Sequence, residues 1–191
     1  MHDAPKSSAV TSRGWAGVRP HLASWNKTEL LALVKDLYAA SEFGRDLVEA
    51  RCRPAESTEE ALEKYRRRIV EQFFPARGYG KLKLGEARKA VRDYRKATDD
   101  LAGTAELLMT YVETGVRYTC EFGDIDARFY SSVESALIEL ANLLRDKVRE
   151  RYPQFQNRLS AIEQMTEGIG WGFHDVIGDV VRQLEDELGD G

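Results

Sequence analysis

The chain has 191 residues, 42% of them hydrophobic and 31% charged, which is enough for one core under a well-solvated surface. Twenty-eight basic residues against 32 acidic ones leave a net charge of −4, so overall charge singles out no partner. The two cysteines, Cys52 and Cys120, stand outside any CxxC or Cys/His pattern; this argues against a disulfide framework or zinc site, and both read as small buried hydrophobes in a reducing compartment.

Residues 1–24 are rich in Ser, Pro, Gly and Ala and show no sustained period, so they read as a mobile arm anchored by Trp15 or Trp25. The arm lacks the apolar run of a signal peptide, and no stretch approaches the roughly 20 apolar residues that span a bilayer. A cytoplasmic protein is expected, in which the sequon Asn26-Lys27-Thr28 carries no meaning.

Order begins at Asn26, where an Asn cap with Glu29 three residues later resembles a capping box. Behind it Leu30, Leu31, Val34, Leu37 and Tyr38 share one helical face. A short helix over about 42–52 follows, then Pro54 and Ser57 as punctuation. The next helix, over 59–74, carries Leu62, Tyr65, Ile69 and Phe73 at the amphipathic period.

Pro75 stops that helix, and Arg77-Gly78-Tyr79-Gly80 makes a loop. Residues 84–97 form a helix with Ala87, Val91 and Tyr94 inward. Thr98 or Asp99 is expected to cap a longer one bearing Leu101, Ala105, Leu108, Val112 and Val116. After a break at 122–126, Asp126 caps a helix with Phe129, Val133, Leu137, Leu140, Leu144 and Val148 inward. Pro153 opens another with Phe155, Leu159 and Ile162, ended by Gly168 and Gly170. The last has Phe173, Ile177, Val180 and Leu184 on its inner stripe.

No segment alternates like a strand. The fold class is therefore all-α, with seven or eight helices packed as antiparallel hairpins in a bundle or short α-solenoid, and a single helical domain over 25–189. No repeat of about 34 residues supports a tetratricopeptide array.

The strings Phe73-Phe74-Pro75, 77–84 (RGYGKLKL), 111–115 (YVETG), 123–126 (GDID) and 168–175 (GIGWGFHD) resemble those of an uncharacterised bacterial family of small helical proteins. The likeness covers roughly residues 26–180. It implies a bacterial source and a helical fold and attaches no activity. Gly85 departs from the serine or other capping residue expected at a helix start.

Three groups of residues could carry function. The first is basic: Arg77, Lys81, Lys83, Arg88, Lys89, Arg92, Arg95 and Lys96 stand against only Glu86 and Asp93 in the same stretch. Arg88, Arg92 and Arg95 share a helical face, and Lys81, Lys83 and an exposed Tyr79 precede them. A phosphate backbone would suit such a surface. The structural alternative is a solvated face that pairs with the acidic region from Glu121 onward, where fifteen acidic residues meet seven basic ones.

The second group is the glycine turn Gly168-Ile169-Gly170-Trp171-Gly172. Gly170, Trp171 and Gly172 could present backbone N–H groups to an anion at a helix start. As structure, the turn is a helix C-cap in which Trp171 packs. The third group is Glu113, Asp124, His174 and Asp175, a carboxylate–histidine cluster if the fold brings them together. Structurally, Glu113 pairs with Arg117 at i, i+4 and Asp124 and Asp126 are turn and cap residues; Asp175 and Asp179 are solvated. No Walker loop, HExxH, GxSxG or kinase motif is present. No metal or cofactor is expected.

The leading expectation is a non-enzymatic helical interaction or scaffold module, with a protein partner or self-association and no membrane. Nucleic-acid binding through 77–96 is the alternative, and an enzyme or ligand site around Glu113, Asp124 and His174 comes third. The first reading predicts an exposed apolar or strongly charged surface.

Overall fold

A computed structural model describes residues 14–52, 54–170 and 172–189, without the side chains of 54–58. Among the described residues every regular element is helical. The helices are α1 (Trp15–Ala23), α2 (Lys27–Ala40), α3 (Glu42–Cys52), α4 (Pro54–Phe73), α5 (Leu84–Thr98), α6 (Leu101–Phe122), α7 (Ala127–Asp146), α8 (Tyr152–Met165) and α9 (Phe173–Leu188), with a 3-10 turn at Arg149–Arg151. No helix of the described residues is long and apolar enough to cross a membrane.

The chain divides into two compact units, Met1–Val48 and Glu49–Gly191, and the division falls inside α3. That is further along than the boundary expected at residues 24–25. Part of the reason is α1, which replaces the described end of the expected arm with a helix; residues 1–13 lie outside the described residues. The sequence hides this helix well. Gly14 caps it without a side-chain hydrogen bond, and Pro20 sits inside it, removing an internal donor. By contrast α2 starts as expected: Asn26 Oδ1 accepts from Glu29 N–H at 3.0 Å, and Glu29 Oε2 accepts from Asn26 N–H at 2.7 Å.

In the second unit α6 is the common element. It packs against α4 and α5 on one side and against α7 and α8 on the other, while α9 closes the ring α6–α7–α9–α8. Successive helices run antiparallel. The ends of α4 and α6 meet at Phe74 and Phe122, and those of α6 and α8 at Cys120 and Met165. The helices α4 to α9 thus form a three-helix group and a four-helix ring that share α6.

Burial on several sides explains the composition of α6. Its buried polar side chains are threonines, which satisfy themselves against the helix's own backbone. Thr104 donates to Asp100 O (2.6 Å), Thr110 to Glu106 O (2.9 Å) and Thr114 to Thr110 O (2.6 Å). Around its C-terminal half lies an aromatic cluster. Phe73 makes edge contacts with Tyr111, Tyr118 and Phe129 at centroid distances of 5.4, 6.1 and 6.3 Å.

Four local expectations need correction. Pro54 begins α4 instead of interrupting the chain, because proline fits a helix's first turn, where its missing N–H has no partner anyway. The cap of α6 is Asp100, whose Oδ1 accepts from Gly103 N–H at 3.0 Å; Asp99 is the left-handed C-cap of α5. In α9 the core residue is Val181, with Val180 only partly buried. Both cysteines are exposed, and Cys120 Sγ donates to Met165 O at 3.3 Å.

Candidate functional site

The residues expected to form a carboxylate–histidine cluster are each engaged separately. Glu113 is gripped by Arg158 of α8: Nε donates to Oε1 at 2.7 Å and Nη2 to Oε2 at 2.8 Å. The same guanidinium donates through Nη1 to Glu106 Oε2 at 2.8 Å. These two glutamates mark a polar line on an otherwise apolar helix, and a cation was needed opposite it. The local candidate, Arg117, instead lies over the Phe74 ring, 4.0 Å from its centroid. Hydrogen bonding to Glu113, against the opposing effect of burial, raises the Arg158 pKa.

Asp124 Oδ1 accepts from the Tyr130 hydroxyl at 3.1 Å, and that hydroxyl also meets Thr119 Oγ1 at 2.8 Å. Asp126 caps α7, accepting from Phe129 N–H at 2.8 Å. His174 Nδ1 lies 3.0 Å from Thr166 Oγ1, whose own proton goes to Glu163 O at 2.8 Å. Asp175 is exposed. Among the described residues no group of three His, Cys, Asp or Glu side chains could hold a metal.

The glycine turn is built by backbone geometry. Gly168 and Gly172 have φ of 82° and 71°, Phe173 N–H donates to Gly170 O at 3.2 Å, and Val176 N–H donates to Gly172 O at 3.1 Å in the first turn of α9. Gly170 is exposed, and Trp171 lies outside the described residues.

The basic set splits into separate surroundings. Arg88 turns inward: it pairs with Glu139 of α7 at 2.5 Å and lies 5.6 Å from the Tyr111 ring centroid, and its Nη1 is buried without an acceptor among the described residues. Arg77 and Tyr79 are exposed on the loop. Lys81 and Lys83 line a hollow of about 340 Å³ with Arg68, Glu71, Gln72 and Glu86. Arg92, Arg95 and Lys96 line a groove of about 510 Å³ together with Arg51, Val91, Asp99 and Glu139. A further hollow of about 310 Å³ shares Arg95 and Glu139 and runs along α7 past Ile138 and Leu143 to Lys147.

The first unit presents a surface of another kind. No residue of α1 or α2 is buried. Trp15, Val18, Trp25, Leu30, Leu31, Val34 and Leu37 are all exposed, Leu31 to 58% and Leu37 to 54%. Arg158 and Arg51 were not singled out from the sequence. The pair Glu106 and Glu113, two turns apart on one face of α6, was the signal available for Arg158.

Comparison with family models, curated proteins and solved structures yields no match for this chain. The family resemblance carried by the FFP, RGYGKLKL and GIGWGFHD strings gains nothing from those comparisons.

One consequence follows for stability. Arg158→Met keeps the aliphatic stem but leaves Glu106 and Glu113 facing each other without a cation. Because all three groups are partly solvated, a loss of about 1–2 kcal/mol is expected in urea denaturation. Glu106→Gln with Glu113→Gln in the same background should restore part of it. An unchanged midpoint in Arg158→Met would mean that the fork does not hold α8 to α6.

Proposed function

We propose that the protein is a non-enzymatic helical interaction module that pairs with a second copy of itself through α2. The observation that carries this reading is the apolar stripe Leu30, Leu33, Val34 and Leu37, of which Leu30, Val34 and Leu37 are exposed and Leu33 is partly buried. Its spacing reads the same in either direction. An antiparallel two-fold pair of α2 helices therefore sets Leu30 of one copy against Leu37 of the other, and Leu33 against Val34. A two-fold interface needs this kind of self-complementary patch. Lys27, Glu29, Lys35 and Asp36 are exposed, so charged groups border the stripe.

Newly buried leucine side chains contribute roughly 1–2 kcal/mol each, while association costs of order 4–15 kcal/mol. A contact of this size gives a weak dimer, and the measurement belongs at high protein concentration. In sedimentation velocity the wild-type chain should pass from monomer toward dimer as concentration rises. Leu30→Glu with Leu37→Glu should stay monomeric with unchanged far-ultraviolet circular dichroism. A wild-type chain that stays monomeric throughout the range, or a variant that still dimerises, would sink the proposal.

The other two readings draw less support. A phosphate backbone needs a continuous cationic track, and here Arg88 is taken up inside the fold while Lys81 and Lys83 line a different hollow from Arg92 and Arg95. A catalytic cluster needs its members within hydrogen-bond reach of one another, and Glu113, Asp124 and His174 bond to Arg158, Tyr130 and Thr166 respectively.

A further inference from the structure

We infer that the groove between α5 and α7 is a docking site for an acidic, amphipathic segment of a partner protein. Arg51, Arg92, Arg95 and Lys96 converge on this groove, and among the described residues none of these four side chains has a hydrogen bond or ion pair. Four other arginines of the same unit each face a carboxylate: Arg88 pairs with Glu139, Arg145 with Glu187, Arg158 with Glu106 and Glu113, and Arg182 with Asp179. Among the described residues these four cations stand side by side with no carboxylate bonded to them, although Asp99 and Glu139 also line the groove. Arg92, Arg95 and Lys96 are neighbours on one helix, where like charges repel. An occupant that supplies carboxylates relieves the repulsion and gains orientation from the guanidinium forks.

The groove also says something about the rest of its occupant. Glu139, on its wall, is already held by Arg88. Beyond Arg95 the trough runs on past Ile138, which is 46% exposed, and Leu143. One end is therefore cationic, while the other offers one exposed aliphatic side chain, Ile138, among Ser135, Asn142, Asp146 and Lys147. A segment with acidic residues at one end and a leucine-like residue set to meet Ile138 toward the other fits both. Nucleic acid fits less well, because Asp99 and Asp146 interrupt the cationic track and the whole chain is negative. This site uses none of the α2 residues, so it goes beyond the self-pairing proposed above.

The test uses fluorescence anisotropy on the full chain with three labelled probes. They are a synthetic helical peptide with glutamates in its first half and leucines in its second, the same peptide with glutamines for glutamates, and an oligothymidylate. The acidic peptide should bind, and its affinity should fall with salt. Arg92→Glu with Arg95→Glu, at exposed positions of α5, should weaken binding about tenfold or more, and Ile138→Asp should weaken it several-fold. Leu30→Glu with Leu37→Glu should leave it unchanged, which separates this site from the α2 contact. The inference is overturned if the acidic peptide does not bind, if it binds the Arg92/Arg95 variant equally, or if the glutamine peptide or the oligothymidylate binds as tightly.

Discussion

Replacing Phe73 by alanine should remove about 3–5 kcal/mol of stability. The ring is 1% exposed and stands where the end of α4 meets α6 and α7, edge-on to Tyr111, Tyr118 and Phe129. Removing it takes away the transfer free energy of the ring and leaves a cavity. The cavity cannot collapse, because its walls are aromatic rings fixed by other contacts: Tyr111 by Ser132 at 2.6 Å, and Phe129 by Tyr130 at 5.4 Å between centroids. For a chain of this length the loss corresponds to roughly 10 °C in thermal midpoint. The neighbouring Phe74 supplies the control. It is partly exposed and contacts Tyr118, Phe122 and Arg117, so Phe74→Ala should cost roughly half as much. Urea denaturation followed by circular dichroism compares the two. Equal losses would mean that Phe73 is not the hub of the cluster.

Phe73 was legible beforehand because its position repeats with Leu62, Tyr65 and Ile69. The same rule identified α7, where Phe129, Val133, Leu137, Leu140 and Leu144 prove buried; Val148 is buried too, but it lies beyond the end of the helix at Asp146. Periodicity alone cannot separate adjacent candidates. In α9, Val180 and Val181 both continue the stripe from Ile177, and the neighbours α7 and α8 decide for Val181. Signals made by one residue were harder to read. Pro54 looked like a stop and is a start, since the same fixed φ suits a break or a first turn. In α1, Pro20 and Gly17 silenced a helix that has no capping side chain to announce it.

The candidate sites were legible only as lists of residues. Helical arithmetic does put Arg88, Arg92 and Arg95 on one side of α5, but it cannot say that Glu139, 51 residues away, draws Arg88 inward. Nor can it say that Arg158, 45 residues from Glu113, outcompetes Arg117 four residues away. Long-range partners consumed the groups that looked most reactive. What they left over is informative in turn: an aliphatic stripe on α2 and a short row of unmatched cations beside α5. Both lay inside sets the sequence had already marked, and the structure's part was to show which of those residues stay exposed or unbonded among the described residues.

Gly103→Ala is expected to reverse the usual sign of a glycine-to-alanine change in a helix. In an open helix the substitution gains about 1 kcal/mol. Here Gly103 lies in the first turn of α6 beneath the end of Tyr94, and an added methyl would run into the Tyr94 hydroxyl and Asp100 Oδ2, with Tyr94 Cε1 only 2.8 Å away. Neither group is free to retreat. Tyr94 is fully buried and donates to Asp100 Oδ2 at 2.6 Å, while the other carboxylate oxygen caps α6 through Gly103 N–H. Burial first, and then the Asp100 carboxylate, raises the Tyr94 phenol pKa, so the ring keeps its proton as donor. Moving either partner breaks the cap and the phenol hydrogen bond together, for an expected loss of about 2–3 kcal/mol. Tyr94→Phe alone should cost about 1–2 kcal/mol, because it removes a hydrogen bond to a charged acceptor. With the hydroxyl gone the methyl has more room, so the double variant should be more stable than the two single losses predict, by about 1 kcal/mol. A stabilised Gly103→Ala chain would show that the methyl has room and that Tyr94, Asp100 and Gly103 do not close over one another. Additive losses would place the strain elsewhere than at the Tyr94 hydroxyl.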